Sequence, residues 1–222
     1  MKVEAPNYNF RDIKELKFGE EVGNSVSHGI PALLILFTLP YFSIKTYISH
    51  GPVFASGISV FLISIFLMFL SSSIYHLMPP KSNHKYVMRI IDHAMIYIAI
   101  AGTYTPIALS MVGGTLGWSI MIIEWVITIA GITYKSTAKN VNPKVSLAIY
   151  LIMGWLGILL FPTLVTKATW LFISFIVLGG IMYSVGSWFY AQKHRHYFHM
   201  IWHFFILAGA LCHFIALLFF IK

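Results

Sequence analysis

Seven charge-poor, apolar stretches of about twenty residues follow one another along this chain, and no other feature limits its fold as severely. They lie near 24–48, 53–77, 88–111, 115–134, 145–165, 168–190 and 199–221. The hydrocarbon core of a bilayer is about 30 Å thick, and about twenty residues of helix cross it. In lipid every backbone polar group must be satisfied within the spanning element, which leaves helices as the solution for runs of this length. The expected fold is therefore all-α: a polytopic, seven-helix membrane bundle. Only 10% of the 222 residues are charged, against roughly 25% in soluble domains. Gly51-Pro52, Pro79-Pro80, Gly113-Gly114, Asn142-Pro143 and a short segment around Lys167 supply the breaks between runs. No repeat or low-complexity linker divides the chain, so residues 1–222 are expected to form one membrane domain, with 1–20 as a short N-terminal segment. That segment alternates charges and has no apolar core, so it is not a secretory signal.

The basic residues set the expected direction of insertion. Lys2, Arg11, Lys14 and Lys17 precede the first run; Lys81, Lys85 and Arg89 follow the second. Lys135, Lys139 and Lys144, then Lys193 and Arg195, occupy the fourth and sixth connections, making twelve on one side. Lys45, Lys167 and Lys222 are the three on the other. The positive-inside rule places the N-terminus in the cytoplasm and the C-terminus outside, in the cell membrane. The net charge of +8 then reflects orientation and contact with anionic lipid headgroups at the cytoplasmic face, not nucleic acid. Cys212 is the single cysteine, which excludes an internal disulfide and a cysteine-based metal cluster.

Polar residues inside such runs are costly unless paired, hydrated or bound to metal. His76 ends the second run, Asp92 lies in the first turns of the third, and His199 and His203 open the seventh. Alternating helix direction puts all four at one depth. His199 and His203 are four apart and share a helix face. With His76 they make the three-imidazole set of a catalytic zinc site, which keeps one position open. Asp92 is the candidate base and Ser72, one turn before His76, the candidate oxyanion donor. Glu21, Asn24, Ser25 and His28 form a stripe at the same end, either orienting the ligands or serving as a helix start with Glu near the dipole's positive end. Other readings stand beside these. Histidines four apart also occur at interfaces, as His194 and His196 suggest; Ser71–Ser73 suits helix packing; Asp92 could pair with Arg89. Glu124 and His213 lie too deep for the same metal. Tyr97, Tyr104, Pro106, Trp118, Trp125 and Trp155 suit a lipid cavity, aromatic packing or an interface belt.

The stretch before the first run reads Glu20-Glu21-Val22-Gly23-Asn24-Ser25-x-x-His28-Gly29. Together with Ser72-x-x-x-His76, Asp92, His199-x-x-x-His203 and Cys212-His213-Phe214, it closely resembles the bacterial hemolysin III proteins, over nearly the whole chain. These are prokaryotic members of the progestin and adipoQ receptor family, which contains the adiponectin receptors. The resemblance implies seven helices with the N-terminus inside, and Zn2+ held by His76, His199 and His203 with Asp92 and Ser72 beside it. It implies ceramidase-like chemistry, since the wider superfamily includes alkaline ceramidases. The chain lacks the long N-terminal extension of the animal receptors, so ligand sensing through that extension does not carry over.

These observations favour a zinc-dependent membrane hydrolase of a lipid amide or ester, with a role in membrane lipid homeostasis. A non-catalytic sensor or receptor with a structural zinc would use the same ligands. A hemolysin-type pore or transporter would instead put Glu124 and His213 on an ion path.

Overall fold

The computed structural model describes residues 15–138, 140–192 and 194–221, and among them the regular structure is helical. Seven helices are long and apolar enough to cross a bilayer: α1 Phe18–His50, α2 Pro52–Leu77, α3 Asn83–Val112, α4 Gly114–Thr137, α5 Pro143–Lys167, α6 Trp170–Ala191 and α7 Phe198–Phe219. They match the seven apolar runs in number and order, and the chain is a multi-pass membrane protein. Lys2, Arg11, Lys14, Lys139, Lys193 and Lys222, which entered the charge count, lie outside the described residues.

Local chemistry sets most of the boundaries. Pro52 and Pro143 open α2 and α5, where a missing N–H leaves no bond unmade. Ser82, Asn142 and Thr169 cap α3, α5 and α6 by accepting from the backbone N–H of Lys85, Lys144 and Phe172. Gly51 and Gly113 take φ of 80° and 64° after α1 and α3, a left-handed conformation that glycine reaches at little cost. One boundary departs most from the apolar runs. α1 begins at Phe18, inside the segment read as the N-terminal tail, where the Glu20 side chain reaches back to the helix start: the Lys17 N–H donates to Glu20 Oε2 at 3.3 Å. Helices also deviate internally. α3 ends in a π-helical turn, Ile107–Val112, directly after Pro106, and α5 passes through a 3-10 turn at Leu156–Leu160.

α2 packs between α1 and α3, with Ile58, Phe61 and Leu62 fully buried. α3 also meets α4 and α5, α6 meets α5 and α7, and α7 returns against α1 to close the bundle. Phe37, Ile48, Ile129 and Trp170 are exposed on the outside, as a lipid-facing surface requires. Association of α2 with α3 depends on Gly57, where a Cβ would fall 2.8 Å from Pro106 Cα. Small residues allow such close backbone approach. Gly57→Val is expected to destabilise the bundle by about 1–3 kcal/mol, read as a lower thermal midpoint in detergent. Gly154→Ala, whose Cβ would meet nothing within 4 Å, serves as the control and should change it little.

Candidate metal centre

The end of α2 and the starts of α1, α3 and α7 meet at one end of the bundle. The entry of α7 is fixed there by α1. Tyr197, just before the helix, adopts a left-handed φ of 62°, and its N–H donates to Glu20 Oε1 at 2.5 Å. A carboxylate at this point also complements the N-terminal dipole of α7. The first two turns of α7 then carry His199 and His203 on one face, toward His76 at the end of α2. One nitrogen from each of the three imidazoles lies within 4.8 Å of the others.

Hydrogen bonds on the far sides of two rings decide which nitrogens face the centre. His76 Nδ1 lies 2.6 Å from Glu21 Oε2. An ionised carboxylate only accepts, so Nδ1 carries the proton and Nε2 presents a lone pair. His203 Nδ1 lies 3.2 Å from the Asn24 carbonyl oxygen and 3.2 Å from Ser27 Oγ. The carbonyl again requires Nδ1–H, which leaves His203 Nε2 bare, and that atom is buried with no hydrogen-bond partner. Buried polar atoms rarely go without one. A divalent metal would supply the missing partner. With Zn–N bonds of about 2.0–2.1 Å, two ligands of a tetrahedral site sit about 3.3 Å apart; His76 Nε2 and His199 Nε2 are 3.3 Å apart. The donor set therefore fits a three-imidazole metal site, with one pair of nitrogens at ligand spacing and the third within 4.8 Å of both.

Glu21 links this centre to a buried cation. Its Oε1 accepts from Lys85 Nζ at 2.6 Å, while Lys85 also donates to the Met78 carbonyl at 3.2 Å and lies over the Tyr75 ring. Carboxylate partners of ligating histidines orient the ring and raise its basicity. Glu21→Gln is expected to weaken metal affinity about 10–100-fold without abolishing it, as measured by chelator competition on the purified protein.

The other residues singled out from the sequence distribute unevenly. Asn24 reaches His203 through its backbone carbonyl, while both of its side-chain amide atoms are buried without partners. Ser25 bonds to the Ser73 carbonyl and hydroxyl at 3.1 Å, so it joins α1 to α2 and does not touch the histidines. His28 stacks on His203 at 3.7 Å, the rings nearly parallel, with both His28 nitrogens unpartnered among the described residues. Ser72 and Asp92 face each other across the α2–α3 contact, and Ser72 Oγ completes no hydrogen bond of good geometry. Asp92 Oδ2 also lies 3.4 Å from His93 Nδ1.

Three contributors were not visible from spacing. Glu20 and Ser27 bracket the motif and differ from ordinary helix-start residues only once α7 is docked. Lys85 read as one more loop cation, yet it is 2% exposed. Its four-residue separation from Arg89, inside what proved to be helix, was the one available signal.

Beside the cluster lies a cavity of about 210 Å³. His28, Ser72 and Asp92 line one end; Ile107, Leu160, Leu164 and Ile173 line the other. Between them the wall is mostly apolar. Trp155, Ile158, Phe161 and Val177 both line the cavity and are exposed, so it reaches the bundle surface between α5 and α6. Of the aromatic set named from the sequence, Tyr104 and Trp155 line it; Tyr97, Pro106, Trp118 and Trp125 do not. Glu124 is fully buried on α4, with neither oxygen partnered among the described residues, and is not part of this wall; His213 is. The two do not share this cavity.

Comparison with known proteins gives a consistent result. Residues 16–214 match the family model described as haemolysin-III related. The chain is 37% identical over 209 residues to the hemolysin-3 homolog of Bacillus subtilis (strain 168), covering 90% of this chain and 94% of that one. It is 36% identical over 203 residues to hemolysin-3 of Bacillus cereus, covering 91% and 92%. A more distant similarity, 24% over 155 residues, reaches the monocyte to macrophage differentiation factor of Homo sapiens, covering 68% of this chain and 64% of that one.

Proposed function

Because the chain belongs to the haemolysin-III related family and its three histidines converge beside an apolar cavity, we propose that it is a zinc-dependent membrane hydrolase cleaving an amide or ester bond in a lipid. The observation that carries this reading is the bare, buried Nε2 of His203 within ligand distance of two further imidazoles. His76, His199 and His203 would hold the metal, and the bundle end that carries them would face the cytoplasm, where Lys17, Lys81, Arg89, Lys144 and Arg195 favour anionic headgroups.

Zinc in such a site lowers the pKa of water to about 7 and polarises a carbonyl. The chain's own residues do the rest. Glu21 holds the His76 ring and its tautomer. The apolar wall takes an acyl chain entering between α5 and α6, and keeps bulk water from the reacting carbonyl. Asp92 accepts the proton of the attacking water as its oxygen bonds to the carbonyl carbon. It returns that proton to the leaving nitrogen or oxygen as the C–N or C–O bond breaks. The Ser72 hydroxyl donates to the carbonyl oxygen as negative charge develops there. A role in membrane lipid homeostasis would follow from cleaving such lipids.

The test is hydrolysis of a panel of lipid amides and esters by the purified protein, with fatty acid release as the readout. Release that chelation stops and added zinc restores supports the reading. A metal-loaded, folded protein that cleaves none of them overturns it in favour of a sensor with a structural metal.

A further inference from the structure

Farther along the cavity stands a polar group that the proposed hydrolysis does not use. His213 lies ten residues after His203 on α7, about 15 Å along the helix axis, and lines the cavity. The residue is only 8% exposed. Its Nε2 lies 3.2 Å from the Ile176 carbonyl oxygen on α6. That oxygen can only accept, so the proton sits on Nε2 and Nδ1 is left as an acceptor. Nδ1 is buried with no partner. The contact is built into α6: a Cβ at Gly179 would overlap the His213 ring, so the glycine is what lets the imidazole reach Ile176. Tyr183 meets the ring edge-on, with centroids 5.4 Å apart, and also lines the cavity. A histidine that only tied α6 to α7 would need Nε2 alone. Keeping a bare acceptor enclosed behind a mostly apolar wall is costly, and a ligand whose donor the ring turns to meet removes the cost.

We infer that His213 is a specificity-determining residue: its Nδ1 accepts a hydrogen bond from a hydroxyl on the chain of the bound lipid, on the order of ten carbons from the reacting carbonyl. The ligand class is a mid-chain-hydroxylated acyl lipid. This rests on the reading of the cavity as an acyl site.

Binding of three probes to the full-length protein in nanodiscs separates the possibilities: octadecanoate, and octadecanoate with its hydroxyl at carbon three or at carbon twelve. The wild type is expected to hold the carbon-twelve isomer about three- to tenfold tighter than octadecanoate, with no such gain at carbon three. His213→Leu should erase that difference and leave octadecanoate binding unchanged, whereas His213→Gln, which retains an acceptor, should keep part of it. Equal affinity of the wild type for all three probes overturns the inference by itself, even where the variants fail to fold. So does a preference that survives His213→Leu. Failure to bind any probe overturns the acyl-site reading together with this one. A carbon-twelve preference in a protein that hydrolyses no lipid supports the subsite and counts against only the enzyme.

Discussion

His203→Ala is expected to take the zinc content of the purified protein from about one per chain to near zero, and His76→Ala to do the same. The two residues come from helices far apart in sequence, and each contributes one nitrogen of a set within 4.8 Å. Removing either leaves two ligands, too few for a tight site. The His203 variant has a further consequence. In the wild type its Nε2 is buried and unpartnered, so the metal-free centre bears the cost of that atom as well as the lost coordination. Zinc should therefore raise the thermal midpoint of the wild type, and about a thousandfold excess over Kd corresponds to about 4 kcal/mol. The same addition should leave His203→Ala unmoved. Ser25→Ala is the internal control: Ser25 sits in the same stripe but bonds only to Ser73, so its zinc content should stay at the wild-type level. Elemental analysis should cover manganese, iron, cobalt, nickel and copper too, since imidazole suits several of them. Well-folded wild type that takes up no metal when supplied with it would remove the basis of the hydrolase mechanism.

The bundle was legible because hydrocarbon imposes a simple rule on sequence: each crossing needs a long apolar run and leaves its cations outside. Helix number, order and most boundaries follow from that rule and from Pro52, Pro143 and the capping side chains. The start of α1 does not, because the partners of Glu20 and Glu21 come from helices distant in sequence. Glu20 is held by the Tyr197 N–H and Glu21 by His76 and Lys85, contacts that exist only after α1, α2, α3 and α7 have met. The three-histidine cluster was legible from depth alone, since alternation of helix direction places His76, His199 and His203 at one end. Depth does not give azimuth. Ser25 and His28 share a stripe with Glu21, yet Ser25 turns to α2 and His28 stacks flat on His203. The cavity was not legible either, because Ile158 and Val177 read equally well as lipid-facing or tunnel-facing residues, and here they are both.

Asp92→Asn is expected to cut turnover about 10²–10⁴-fold while leaving the zinc content unchanged. The substitution keeps the size of the side chain and its contact with Ser72, but an amide cannot take a proton from water or return one to a leaving group. Asp92 is not among the three residues whose nitrogens converge, so metal retention is a requirement of the mechanism and not an incidental outcome. The measurement is kcat and KM on whichever lipid amide or ester the wild type cleaves, with zinc determined on the same preparation. A fall in kcat at nearly constant KM points to a group acting in the chemical step. Ser72→Ala should cost less than loss of the base, and in the double variant the two losses should not add, since both groups act on the same transition state. Two results would count against the assignment. Loss of zinc in Asp92→Asn would make Asp92 part of the metal's support. A loss of activity smaller than tenfold would place the proton acceptor elsewhere, and a candidate is His28, which lines the same end of the cavity and has both ring nitrogens unpartnered among the described residues. A sensor that uses zinc only to clamp α2 to α7 gives a third pattern: metal retained, signalling retained, and no turnover to lose. The paired readout separates that role from catalysis, which metal content alone does not, because both roles use the same three histidines.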